Sequence, residues 1–63
     1  MQYRIQFIDR AGEIIGEMHA DARTVAAAIE LVVDIDWPLR TATMRVLDPE
    51  GRELDSRRKE DQR

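Results

Sequence analysis

The chain has 63 residues, which is enough for one small domain with a single thin core. Charged residues make up 37% of the chain and its formal net charge is −3, which argues against a general polyanion binder. It contains no cysteine, so disulfides, thiolate metal sites and cysteine nucleophiles are excluded. No apolar run approaches the roughly 18 residues of a membrane span, and no apolar core of a signal peptide follows Met1. We therefore expect a cytoplasmic protein without a membrane partner.

Two strands joined by a tight turn are predicted at the start of the sequence. Tyr3, Ile5 and Phe7 alternate with other residues, which is typical of a half-buried strand over residues 3–8. Asp9 to Gly12 supplies turn chemistry, with aspartate at the first position and glycine where a positive φ is wanted. The following residues, 13–18, are predicted to return as the second strand of a hairpin.

The hydrophobic period changes in the next segment. From Ala22 to Val33, apolar residues recur at spacings of three and four, which predicts one buried face of a helix. Asp21 is predicted to cap the N-terminus of this helix with its carboxylate. Because Pro38 disfavours helical geometry in the residue before it, we expect the helix to cover residues 21–36.

A second hairpin is predicted after the helix. Residues 41–47 alternate again, Asp48 to Gly51 forms a turn, and residues 52–56 return as a short polar strand. Both turns have the pattern Asp-x-x-Gly, which predicts three-residue loops with a glycine bulge. Duplication or convergence explains this similarity, and the demands of turn chemistry favour convergence. Residues 57–63 contain no apolar side chain and are predicted to form a disordered charged tail.

These elements predict an α+β fold of ββαββ layout in a single domain, residues 1–56. The expected sheet has four antiparallel strands in the order 2-1-3-4, with the one helix packed on one face. The side chains predicted to turn toward the helix are Tyr3, Ile5, Phe7, Ile15, Met44, Val46 and Leu54.

The sheet face without a helix is the predicted partner surface. Alternation places four large apolar residues there: Ile8, Ile14, Met18 and Leu47. A contiguous apolar patch marks an interaction site, although scattered surface hydrophobes are ordinary and a register error of one would exchange the faces. We therefore predict a non-enzymatic protein-interaction module, most simply a weak homodimer through this face.

No constellation for catalysis, cofactor binding or metal binding emerges from the sequence. His19 is the single histidine, and nothing in the sequence brings the single serine, Ser56, near it. The three glycines at positions 12, 16 and 51 stand apart, so they form no phosphate loop. The expectation is a protein that is not an enzyme and has no cofactor and no metal.

The alternative function is a small regulatory nucleic-acid-binding protein. It would use the basic cluster Arg57, Arg58 and Lys59, with Trp37 as a stacking platform. Acidic residues follow the cluster at once, at Glu60 and Asp61, so a nucleic-acid partner is not favoured.

Three segments carry a resemblance to known proteins: residues 3–7, 21–28 and 46–54, the last containing the Asp-x-x-Gly-Arg turn. With these segments the chain resembles small uncharacterised bacterial proteins of hairpin–helix–hairpin layout. The resemblance implies a bacterial cytoplasmic setting. It implies no known activity, so no functional residue is carried over from it.

Overall fold

The computed structural model describes residues 1–33 and 37–59 of the chain. Its elements in chain order are β1 (Gln2–Ile8), β2 (Ile14–Asp21), α1 (Val25–Val33), β3 (Thr43–Leu47) and β4 (Glu53–Arg58). The strands form one antiparallel sheet in the order β2-β1-β3-β4. The predicted α+β class, ββαββ layout and strand order are therefore confirmed.

The helix begins later than its predicted N-terminus. Asp21 is the last residue of β2, where its backbone pairs with Gln2, so it is not the cap. Thr24 takes that role, because the backbone N–H of Ala27 donates to its Oγ1 at 3.1 Å. The last predicted helical residues, 34–36, lie outside the described residues.

The core lies between α1 and the inner strands of the sheet. Trp37 closes one end of it. Its Nε1 donates to the carbonyl of Val32 at 3.2 Å, and its ring centroid lies 5.9 Å from that of Phe7. The buried apolar residues of this cluster are Tyr3, Ile5, Phe7, Ala20, Ala28, Ile29, Val32, Trp37, Met44 and Val46.

The two hairpin turns are built in the same way. Gly12 and Gly51 have φ of 86° and 91°, a left-handed conformation that glycine adopts without a Cβ clash. Each closes a turn, with its N–H donating to the carbonyl of Asp9 at 3.1 Å or of Asp48 at 2.9 Å. The predicted three-residue loops with a left-handed glycine are confirmed in both hairpins.

Each hairpin also contains a β-bulge that breaks the alternation of its outer strand. The register shifts opposite Phe7/Ile8 in β2 and opposite Val46/Leu47 in β4, which leaves Ile15 and Leu54 as the extra residues. Their side chains are 37% and 42% exposed, so neither residue belongs to the buried core under the helix.

An approximate twofold axis relates the two hairpins. Gln6 and Arg45 occupy equivalent positions in them and lie opposite each other between β1 and β3. Ile5 faces Val46, the counterpart of Phe7, while Phe7 faces Met44, the counterpart of Ile5. The axis therefore passes through the middle of the sheet, perpendicular to it.

Strand β4 extends further than the sequence predicts. Arg57 and Arg58 pair with β3, and the N–H of Lys59 donates to the carbonyl of Ala42 at 2.9 Å. The predicted disorder is therefore wrong for residues 57–59, since backbone pairing does not need apolar side chains. The remaining tail residues, 60–63, lie outside the described residues.

Candidate functional site

The helix-free face carries the alternate residues of the four strands. On β1 these are Arg4, Gln6 and Ile8, which point away from the buried Tyr3, Ile5 and Phe7. Their partners on the neighbouring strands share the face, and they are Ile14, Glu17 and His19 on β2 and Thr43, Arg45 and Leu47 on β3.

A row of hydrogen bonds and ion pairs crosses the middle of this face, and we call it the polar belt. Gln6 is its centre, with Nε2 donating to Glu17 Oε2 at 3.0 Å and Oε1 accepting from Arg45 Nε at 3.1 Å. At its ends, Arg4 lies 3.9 Å from Glu17 and Arg45 lies 3.7 Å from Glu53. The belt contains two arginines and two glutamates, so its net charge is zero.

The apolar residues of the face lie on both sides of the polar belt. Ile8 and Ile14 pair at one end of the sheet, where Ile14 is 52% exposed. Leu47 pairs with Arg4 beyond the belt and is already buried, with 5% of its surface exposed. The three residues therefore form two separate apolar positions, and only the Ile8–Ile14 end is open to a partner.

The predicted place of Met18 on this face is wrong. Met18 pairs with Ile5 on the helix side of the sheet and packs against the core. The cause is the bulge at Ile15, which adds one residue to β2 and exchanges the faces of the residues that follow it.

The residues predicted for the nucleic-acid alternative are separated in the structure. Trp37 is buried against Phe7, so its ring is not available to stack on a base. Arg57 pairs with Met44 on the helix side, while Arg58 pairs with Thr43 on the helix-free side. Of the four predicted contacts, the structure brings together Arg58 and Lys59.

Arg58 and Lys59 line an open groove of about 910 Å³ at one end of the sheet, together with Arg10 and Arg40. We call it the basic groove; its walls are the β1–β2 turn, residues 40–43 and the end of β4. Sequence reasoning missed Arg10 and Arg40, because they belong to different loops. The predicted strand order was the available signal, since it places the ends of β1 and β4 and the start of β3 together.

The candidate catalytic residues do not meet. His19 lies on β2 and Ser56 on β4, which are the two outer strands of the sheet. Within residues 1–33 and 37–59, the His, Asp and Glu side chains form no group of three that could hold a metal ion.

Asp48 has a shifted pKa, and its side chain holds the second turn together. Its Oδ1 accepts from the backbone N–H of Arg52 at 2.8 Å and of Glu50 at 2.9 Å. The Arg52 guanidinium donates to Oδ2 at 3.0 Å. The backbone hydrogen bond from Arg52, supported by these other donors, lowers the pKa of Asp48 because it favours the charged form.

Comparisons of the chain with protein-family models, with curated proteins and with solved structures found no match. The resemblance to small bacterial proteins therefore stays a prediction. The described part of the chain contains no helix long and apolar enough to cross a bilayer, since α1 has nine residues.

Proposed function

We propose that the protein is a non-enzymatic interaction module that contacts a partner through its helix-free face, most simply a second copy of the chain. The observation that carries the proposal is that helix α1 covers one face of the sheet and leaves the other face without a helix. Helix α1 packs on one face, and the other face presents the Ile8–Ile14 end and the polar belt. A protein partner would bury both features together.

Charge supports a second copy as the partner. The chain has a formal net charge of −3, so two copies repel each other over most of their surfaces. The polar belt contributes no net charge, because Arg4 and Arg45 balance Glu17 and Glu53. Electrostatic repulsion between two copies is therefore smallest where this face meets its counterpart.

The area of the face limits the strength of such a dimer. Four strands about 4.8 Å apart, paired over roughly five residues of about 3.3 Å each, give a flat area of about 300 Å². A standard interface buries about 800 Å² on each partner. With Met18 on the other side and Leu47 already buried, we expect weak self-association, with a dissociation constant of about 1 mM.

Sedimentation equilibrium from about 0.05 to 2 mM protein tests the proposal around this expected constant. The discriminating variant is Ile14→Glu, and Leu31→Glu is its matched control, because the two side chains are 52% and 56% exposed and Leu31 lies on the helix. We expect Ile14→Glu to abolish self-association and Leu31→Glu to leave it unchanged. A monomer at every concentration, or equal effects of the two variants, would contradict the second copy as partner.

The proposal includes a cytoplasmic, bacterial setting. The absence of cysteine in the sequence supports it, since chains that work in oxidising compartments often rely on disulfides when they are this small. The resemblance of the hairpin–helix–hairpin layout to small bacterial proteins supports it as well.

A further inference from the structure

We propose that the basic groove binds a small polyphosphate anion, such as the diphosphate or triphosphate group of a metabolite. This site shares no lining residue with the polar belt or the Ile8–Ile14 end, although Ile8 adjoins it through its pairing with Thr43, and it does not depend on self-association. The charge of its walls and the backbone conformation at Arg40 point to an anion as the ligand.

The groove concentrates positive charge in an acidic protein. Four cationic side chains line it, against the single carboxylate of Asp9. That carboxylate is held in the turn, where its Oδ1 accepts from the backbone N–H groups of Ala11 and Glu13, both at 2.9 Å. Among the described residues, Arg10, Arg40 and Lys59 make no ion pair. An anion in the groove would supply the missing counter-charge.

The backbone at Arg40 is held in an unfavourable conformation. Its φ is 76°, in a turn that the N–H of Thr41 closes by donating to the carbonyl of Pro38 at 3.1 Å. Glycine or asparagine fits such a position with less strain than arginine. The sequence nevertheless has an arginine there, and its side chain forms part of the groove wall. Strain of this kind is typical of binding sites.

A buried hydroxyl in the same wall lacks a hydrogen-bond partner. Thr41 is 3% exposed, and in the described structure its Oγ1 makes no hydrogen bond. Buried polar groups are nearly always paired, so this unpaired hydroxyl is an unusual feature of the wall. Because the oxygen itself is buried, a phosphoryl oxygen seated against residues 40–43 would reach it only if these residues shifted.

The composition of the groove selects the class of anion. Three of its cations, Arg10, Arg40 and Lys59, make no ion pair, and their combined charge suits a di- or triphosphate better than a single phosphate. Single-stranded nucleic acid is usually held by aromatic side chains that stack on its bases. The sequence has one tyrosine, one phenylalanine and one tryptophan, and all three are buried in the core. The groove is therefore equipped to recognise phosphates and not bases.

Amide NMR titration of the full chain with sodium pyrophosphate tests the proposal; the full chain includes Glu60 and Asp61, which follow Lys59 in the sequence. We expect saturable shifts confined to residues 10–12, 40–43 and 57–59, with a dissociation constant of about 1 mM or lower. The affinity for inorganic phosphate should be lower, and both should weaken as salt is added.

The double variant Arg40→Gly/Lys59→Gln should lower the affinity for pyrophosphate by about tenfold or more. Arg23→Gln is the matched control, since Arg23 is an exposed arginine between β2 and α1, and it should leave the affinity unchanged. Glycine suits the φ of position 40, so we expect the double variant to fold. Titration at about 0.05 mM protein, where the expected dimer is dissociated, separates this proposal from the dimer.

Two results would overturn the proposal. One is a set of shifts that do not saturate, or that the double variant leaves in place. The other is tighter binding of a single-stranded RNA of about ten nucleotides than of pyrophosphate, lost in the same double variant. That second result would assign the groove to nucleic acid.

Discussion

Replacement of Arg40 by glycine is expected to make the protein more stable. An L-residue in the left-handed conformation that Arg40 adopts costs about 1–2 kcal/mol. Glycine removes this cost, but it also gives the unfolded chain more conformational freedom, which lowers the free energy of unfolding by about 0.4–1 kcal/mol. The expected net gain is about 0.5–1 kcal/mol, or roughly 4–8 °C in Tm for a domain of this size.

The same arithmetic with the opposite sign applies at Gly51, whose φ is 91° and around which a Cβ would meet no atom within 4 Å. Gly51→Ala should therefore lower stability by about 0.5–1 kcal/mol through conformation alone. Thermal unfolding followed by circular dichroism, with urea titration at 25 °C, measures both variants against the parent chain.

A third variant separates conformation from charge. Arg40→Ala removes the guanidinium from the basic groove, which relieves repulsion among the cations, but keeps a Cβ at a positive φ. If Arg40→Ala gains as much stability as Arg40→Gly, the gain is electrostatic and should vanish in high salt. If Arg40→Gly lowers Tm, the reasoning is refuted, because the arginine then contributes more to the fold than its conformation costs.

Two further predictions concern the core and the second turn. Ile5→Ala should lower the free energy of unfolding by about 2–5 kcal/mol, because Ile5 is completely buried in a central strand. This is a large share of the total of about 3–9 kcal/mol expected for a chain of this length. Urea unfolding should show a lower midpoint with little change in slope. Asp48 contributes stability while it is charged, and its pKa is lowered in the fold, mainly by the backbone N–H of Arg52. The contribution is present above the ordinary value of 3.8 and is lost as the pH falls through the lowered pKa, so the stability difference between the parent chain and Asp48→Asn should shrink on acidification. An unchanged difference between pH 7 and strongly acid solution, measured by urea midpoints, would argue against this role of Asp48.

The strands, the turns and the strand order could be predicted from local patterns in the sequence. Alternation in β1 and β3 identifies the inner strands, and the two Asp-x-x-Gly turns fix the hairpins. One helix between two hairpins leaves few ways to arrange the chain, which is why the strand order could be predicted as well.

The sequence could not predict where alternation is interrupted. The bulge at Ile15 leaves Ile14 on the helix-free face and places Met18 on the helix side, and the single sign of it in the sequence is Gly16, since a glycine inside a strand often marks a bulge. The helix cap was misplaced for a related reason. Asp21 and Thr24 are both good caps, and the pairing of Asp21 with β1 decides between them.

The basic groove was missed for a different reason. Arg10, Arg40 and Lys59 lie far apart in the sequence, each in a segment that looks like an ordinary solvated loop or tail. Their proximity depends on three strand ends meeting at one end of the sheet. The strained conformation of Arg40 and the unpaired hydroxyl of Thr41 are properties of the folded chain that no spacing rule contains.

The paired bulges have a consequence for how this protein behaves when concentrated. An outer strand with a regular row of free backbone groups invites strands from other molecules and can seed fibrils. The strands of the described structure contain no proline to prevent this. Instead, Ile15 and Leu54 interrupt the two outer strands, and the approximate twofold axis puts these interruptions at opposite ends of the sheet. Neither margin of the sheet therefore offers a template along its whole length, and an intermolecular sheet that grew from one would be interrupted within a few residues.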